Sequence, residues 1–300
     1  MIEISSFELK NNDDFVQLNG SISSDSLFTL DRFQFAYQNH YLVNPKPVKI
    51  LFNDDFISTL PFEIHVDDGV VEGFIKTNPI MGDLKFSNVT TDLLSLFPLD
   101  YSGSIKGNIF GEVSIGKNLN PKAFELNVNL KNGEIANQPF DDFEILTHFN
   151  DGILDLEVLK LTYGIDTNFD IQGQYPIIID STESEKVNLK SNFKNINMSF
   201  FTQFSKIWKD NLFGTFTGEF NMGGTTKRTI FDINGKIENT FYKGVPLGTV
   251  KWIGNYRNKT LTFDQFTSDW SENHISGSAI LPIVYDLAET EKTWHSEGEL

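Results

Sequence analysis

The sequence has no cysteine, which excludes disulfides, thiolate-bound zinc and a cysteine nucleophile. Alanine is scarce, so the chain lacks the residue that most favours helix. Basic charge is short as well: 24 Lys and Arg stand against 41 Asp and Glu, a formal net charge of −17. That balance excludes nucleic acid as a partner, because phosphate binding needs clustered Lys and Arg. It also excludes docking through a polybasic patch on an anionic lipid surface. No apolar run approaches the roughly 20 residues that span a bilayer. Met1 is followed by Ile-Glu-Ile-Ser-Ser rather than by the basic stretch and apolar core of a secretory leader.

Catalytic signatures are missing too. The histidines His40, His65, His148, His274 and His295 lie far apart and share no HxH or HxxxH spacing, so structural or surface positions are expected for them rather than metal ligation. Acid pairs recur at Asp13-Asp14, Asp54-Asp55, Asp67-Asp68 and Asp141-Asp142. They lack the alternating oxygen-donor spacing of a calcium loop and read as solvated turns. There is no GxSxG, Walker-type or dinucleotide-binding motif. The expectation is a non-enzyme with no catalytic residue, metal or cofactor.

What is abundant is strand chemistry. Phe occurs 28 times, against 8 Tyr and 4 Trp, and Phe, Ile, Val and Thr suit a pleated, half-buried surface. Phe124-Glu-Leu-Asn-Val-Asn-Leu130 alternates strictly, which puts Phe124, Leu126 and Val128 on one face. Asn132-Gly133 then reads as a turn. Phe143-Glu-Ile-Leu-Thr-His-Phe149 follows, with Phe143, Ile145 and Phe149 in step, and Asn150-Asp-Gly152 reads as a second turn. The next segment, Ile153 to Tyr163, carries Leu154 and Leu156 and is expected to form one strand or two.

The chain also repeats. Shifted by 107 residues, 86–159 falls on 193–266 without a gap, with 12 identities in 74 positions. They include Phe86 on Phe193, Asn88 on Asn195, Gly107 on Gly214, Gly111 on Gly218, Asn132 on Asn239 and Pro139 on Pro246. Twelve identities alone are few; the agreement of apolar pattern, glycines and proline is what marks a repeat. Beyond Leu159 the two copies are expected to differ by three residues and rejoin at Gly173 and Gly277. The second copy places Phe231, Ile233, Trp252 and Phe263 in the same apolar register. Thr90 to Phe97 and Asn197 to Trp208 break the strand pattern and read as short helices in equivalent places. Their Leu93, Leu94, Phe97, Phe200, Phe201 and Phe204 are expected to lie on the sheet.

The organisation expected is therefore 1–83 as the end of one unit plus a degenerate further one, 84–188 as a unit, and 189–300 as a truncated unit. These would form one continuous sheet rather than separate domains. Both termini read as falling inside a unit, which favours an internal piece of a longer chain over a complete cytosolic protein.

Gly107-Asn-Ile-Phe-Gly111-Glu-Val-Ser-Ile-Gly116, then Pro121, then Phe124 to Ile135 and Pro139-Phe-Asp-Asp-Phe143, resembles the repeat grammar of AsmA-like and TamB-type proteins. Leu212 to Val250 follows it more loosely. The resemblance spans most of 84–283. It implies an all-β fold with short helices: an elongated, repetitive, twisted antiparallel sheet curled into an apolar groove. It further implies a periplasmic protein held in the inner membrane by an N-terminal helix outside this segment. Such a groove would bind phospholipid acyl chains and support lipid transport to, and assembly of, the outer membrane, and a partner barrel protein would engage parts outside this segment. The residues expected to line the groove are Phe124, Leu126, Val128, Phe143, Ile145, Phe149, Leu154, Leu156, Phe231, Ile233, Trp252 and Phe263. Alternation by itself fits equally well a structural or adhesive repeat protein with a closed core that binds another protein. A carbohydrate-active β-fold enzyme is a more distant alternative.

Overall fold

In the computed structural model, residues 2–11, 14–23, 26–37, 40–92, 105–116, 123–135, 138–177, 185–202 and 211–282 are described. The protein is all-β: twenty strands, every pairing antiparallel, belong to one large sheet, with a single one-turn helix among the described residues. By contacts the chain divides into two compact units, Met1–Lys131 and Asn132–Leu300. The division falls inside the stretch expected to form the 84–188 unit.

The first unit opens with β1 (Ile2–Asn11), β2 (Asp14–Ile22) and β3 (Leu27–Tyr37), followed by the short β4 (His40–Val43), β5 (Val48–Phe52), β6 (Ile57–Thr59) and β7 (Phe62–Val66). Then come β8 (Gly69–Thr77), β9 (Ile80–Thr90), β10 (Ile105–Ile115) and β11 (Phe124–Ile135), whose last residues belong to the second unit. Pairing here skips along the chain, with β3 against β5, β4 against β7 and β6 against β8. Val66 and Val89 are buried at the centre, with Leu42, Ile64, Val71, Phe86 and Ile109 packed round them. The registers Leu42 to Val66, Ile64 to Val71, Val71 to Phe86 and Val89 to Ile109 place these side chains on one face.

The second unit contains β12 (Gln138–Asn150), β13 (Ile153–Tyr163), β14 (Thr167–Pro176), β15 (Asn188–Asn197), the one-turn helix α1 (Ser199–Thr202), β16 (Leu212–Thr225), β17 (Arg228–Tyr242), β18 (Val245–Arg257), β19 (Thr260–Trp270) and β20 (Asn273–Pro282). Each strand from β12 to β19 pairs with its successor. Period-two alternation carried through this register sorts the two faces. One transverse row runs Phe143, Leu161, Phe169, Phe193, Gly218, Gly235, Trp252, Phe266, Gly277. The adjacent row on the other face runs Glu144, Lys160, Asp170, Asn192, Glu219, Asn234, Ile253, Gln265. A slip of one residue would exchange these rows, so the alternation fixes the register.

The 107-residue repeat is visible in the backbone. Asn88 and Asn195 have φ of 56° and 55°, Asn132 and Asn239 51° and 52°, Asp151 and Asn258 49° and 51°. Ladder irregularities match as well. The break between Ile109 and Gly111 corresponds to that between Phe216 and Gly218, and the break at Leu146/Thr147 to that at Ile253/Gly254. Such an irregularity admits an extra residue and bends the strand, and a residue at positive φ fits it.

Two expectations change, and one left open is settled. Asn132-Gly133 is no turn, because β11 runs through it and the left-handed Asn132 sits within the strand. Asn239 repeats that geometry within β17, at the register shift between Ile237 and Thr240. Ile153 to Tyr163 is a single strand. Past Leu159 the offset falls by one rather than three: Tyr163 pairs with Thr167 and Trp270 with Asn273, so Gly173, paired with Leu156, matches Ala279, paired with Phe263. The hairpin turn there is one residue shorter. Of the two expected helices, α1 realises the start of the second. Leu93, Leu94, Phe97 and Phe204 lie outside the described residues, as does the stretch from Trp294 to Leu300.

Candidate functional site

The apolar face of the second unit differs along its width. Over β12 to β15 it is packed shut. Phe140, Phe143, Leu161, Phe169, Phe193 and Ile196 are all less than 8 % exposed. Ring centroids step from Phe140 to Phe143 (5.8 Å), Phe169 (6.0 Å) and Phe193 (5.9 Å). The helix α1 closes this region: Phe200 packs on Phe169 at 5.3 Å, and Phe201 on Phe193 and Phe216, each at 5.3 Å. The sheet is strongly curled here. The side-chain Oε1 of Gln138, at the start of β12, accepts the backbone N–H of Asn197, at the end of β15, at 2.9 Å. Three strand spacings separate those strands, roughly 14 Å on a flat sheet, and one glutamine cannot bridge that distance.

Over β16 to β19 the same face opens into a cleft of about 800 Å³. Phe193, Phe201, Phe216 and Phe220 form one side, and Ile233, Ile237, Trp252, Leu261, Phe263 and Phe266 continue it. Glu219 borders the cleft, but its register puts its side chain on the opposite face, opposite Asn192 and Asn234. The Thr240 hydroxyl, also at the wall, donates to the Ile237 carbonyl at 2.9 Å. No charged side chain is therefore turned into the cleft by the residues that line it. Concave, apolar sites of this size accommodate small-molecule ligands.

Glycine and aromatic rings shape the floor. Gly218 and Gly235 are paired on the apolar face, and the rings of Phe216 and Trp252 lie nearly parallel, 8° apart with centroids at 5.8 Å. A second group of rings, Phe220, Phe231 and Tyr256, flanks the floor, the last two stacked at 4.5 Å.

Of the twelve residues expected to line a groove, nine share the apolar face of the second unit. Phe143, Ile145 and Phe149 stand on β12, Leu154 and Leu156 on β13, Phe231 and Ile233 on β17, Trp252 on β18 and Phe263 on β19. Only Ile233, Trp252 and Phe263 line the cleft itself, and Phe143 lies in the packed region. Phe124, Leu126 and Val128 stand on β11 in the first unit, where Val128 is buried across from Gly111. Sequence reasoning missed Phe193, Phe216, Phe220 and Phe266. For Phe216 and Phe220 the signal was present in Phe216-Thr-Gly-Glu-Phe220, where two aromatics alternate about a glycine, but that stretch reads as glycine punctuation.

The ion pairs of the described histidines each involve one carboxylate. His40 meets Asp67, His65 meets Glu63, His148 meets Glu157 and His274 meets Asp269. Lys46 hydrogen-bonds Glu63 at 2.8 Å, which raises the lysine's pKa and, together with His65, lowers that of the carboxyl. No group of three or more His, Cys, Asp or Glu side chains suited to a metal ion occurs among the described residues, and no described helix is long and apolar enough to cross a membrane. No family model matches the chain, and neither the curated proteins nor the solved structures compared with it give a match.

Proposed function

We propose that the chain is a lipid-carrying segment that holds acyl chains against its apolar face, without covalent chemistry. The observation that supports this most is the cleft over β16 to β19, lined mainly by apolar and aromatic side chains and with no charged side chain turned inward. Each methylene taken from water into such a surface contributes about 0.8 kcal/mol. Contacts of this kind have no direction, so a bound tail slides along the face at little cost. The resemblance to AsmA-like and TamB-type repeats extends the proposal: a periplasmic protein moving phospholipid toward an outer membrane, anchored and partnered through parts outside these 300 residues.

A closed-core structural or adhesive protein is the competing reading, and the shut region over β12 to β15 favours it. Photo-crosslinking to lipid separates the two, with probes at Ile233 and Trp252 on the cleft face and at Asn234 and Lys251 one residue away on the other. Crosslinks confined to Ile233 and Trp252 are expected. Ile233→Arg should lower tail binding at least tenfold, because an unpaired charge facing hydrocarbon costs several kcal/mol. Asn234→Arg should leave it unchanged. Equal crosslinking on both faces, or none, would discard the lipid reading and leave the structural one.

A further inference from the structure

Most glycines inside these strands answer to the backbone. A Cβ at Gly218 would sit 2.3 Å from the Asn234 carbonyl oxygen, at Gly111 2.1 Å from that of Asn127, and at Gly173 1.9 Å from that of Asn188. Gly235 is different. Its nearest neighbours would be Phe216 Cε2 at 2.6 Å, Trp252 Cζ2 at 3.1 Å and Phe216 Cζ at 3.3 Å, all side-chain atoms of two aromatic rings. The ladder tolerates a side chain here; the rings do not.

The repeat sharpens the point. In the first copy the position of Gly235 is held by Val128, and those of Phe216 and Trp252 by Ile109 and Ile145. Three aliphatic side chains in one copy stand where a glycine and two rings stand in the other. Glycine inside a strand is unfavourable on its own account. Here its space is filled by the Phe216 ring, which lies over the Gly218–Gly235 pair.

From this we infer that Gly235 determines the thickness of apolar ligand the cleft accepts, admitting the two tails of a diacyl lipid side by side. The inference rests on the lipid-binding reading above. With no Cβ at 235, the Phe216 ring rests directly against the strand. A Cβ there pushes the ring outward into the cleft, which makes the cleft shallower.

The test uses the whole chain with Gly235→Ala, and two probes: a phosphatidylcholine with brominated tails and its single-chain lyso form. Binding is read by quenching of tryptophan fluorescence, and folding by circular dichroism and melting. Gly235→Ala should weaken the two-chain probe about tenfold and the single-chain probe less than threefold, a selectivity shift that general loosening of the sheet would not produce. The double variant Gly235→Ala/Phe216→Leu removes the clash and should recover most of the two-chain preference; it also carries the test if the single variant melts early. Equal effects on both probes, a Gly235→Ala protein that binds as wild type, or a double variant without recovery would each overturn the inference while leaving lipid binding intact. A wild-type protein that binds neither probe would overturn the lipid reading and this inference with it.

Discussion

In the second unit, β12 to β15 and β16 to β19 share one face, one alternation and one register, yet the first stretch is filled and the second is open. In the filled stretch every position of the central row carries a large side chain: Phe143, Leu161, Phe169 and Phe193. The Gln138–Asn197 bond draws the strand ends together, and α1 closes over the rings. In the open stretch the row continues as Gly218 and Gly235. The Phe216 ring takes the room left by the missing side chains, and the cleft opens beyond it. The choice between core and cleft thus rests on a few positions and on curl, with the hydrophobic pattern unchanged.

The contrast breaks most readily by truncation. Phe169→Ala removes a ring that is 2 % exposed and in contact with three others, and should cost about 3–5 kcal/mol of stability. Phe263→Ala, half-buried in the cleft wall, should cost about 1–2 kcal/mol, since the solvent-facing side leaves little cavity. Urea unfolding followed by tryptophan fluorescence measures both; equal losses would mean the cleft is as tightly packed as the core.

A smaller effect probes the curl. Gln138→Ala strands the Asn197 N–H and should cost about 1–2 kcal/mol, with faster amide exchange at Asn197 and at the start of β12. No change in exchange there would detach this bond from the closure.

The smallest effect lies in the first unit, at the surface. Glu63 is held below the usual glutamate range first by the hydrogen bond from Lys46 and then by that from His65. A depressed carboxyl contributes stability that is complete above the unfolded-state pKa and fades as pH falls through the folded one. For Lys46, raised chiefly by its bond to Glu63, the contribution is complete below its unfolded pKa and fades as pH rises through the folded one. Glu63→Gln should therefore lower the melting temperature slightly at neutral pH and converge on the wild-type curve as pH falls through the folded-state pKa, which flattens the acid limb. A large drop at neutral pH would show that the carboxylate does more than pair at the surface.

Much of the fold was legible because strand periodicity is local. Phe124 to Leu130 and Phe143 to Phe149 alternate within the chain, and each lies in a strand with those residues in step. The repeat was legible through glycine and asparagine positions, since a left-handed residue at a bulge limits what may stand there. Asn132-Gly133 misled because the same dipeptide suits a hairpin turn and a bulge, and only the partner strand decides between them. The cleft was hardest to read. It depends on which rows meet glycine and on how tightly each hairpin curls, and both are fixed between strands.

The pairing scheme has a consequence for how the molecule comes apart. In the second unit every ladder joins a strand to its immediate successor, whereas the first unit interlaces β3 to β8 across gaps in the chain. An array of nearest neighbours opens one strand at a time, because losing a strand leaves the others' partners in place. Cooperativity in the second unit then spreads only as far as the packed rings of β12 to β15 couple adjacent hairpins. Interlaced strands in the first unit have to separate together. One chain thus combines a block that melts as a whole with a ladder that yields rung by rung, and a single melting temperature does not describe both.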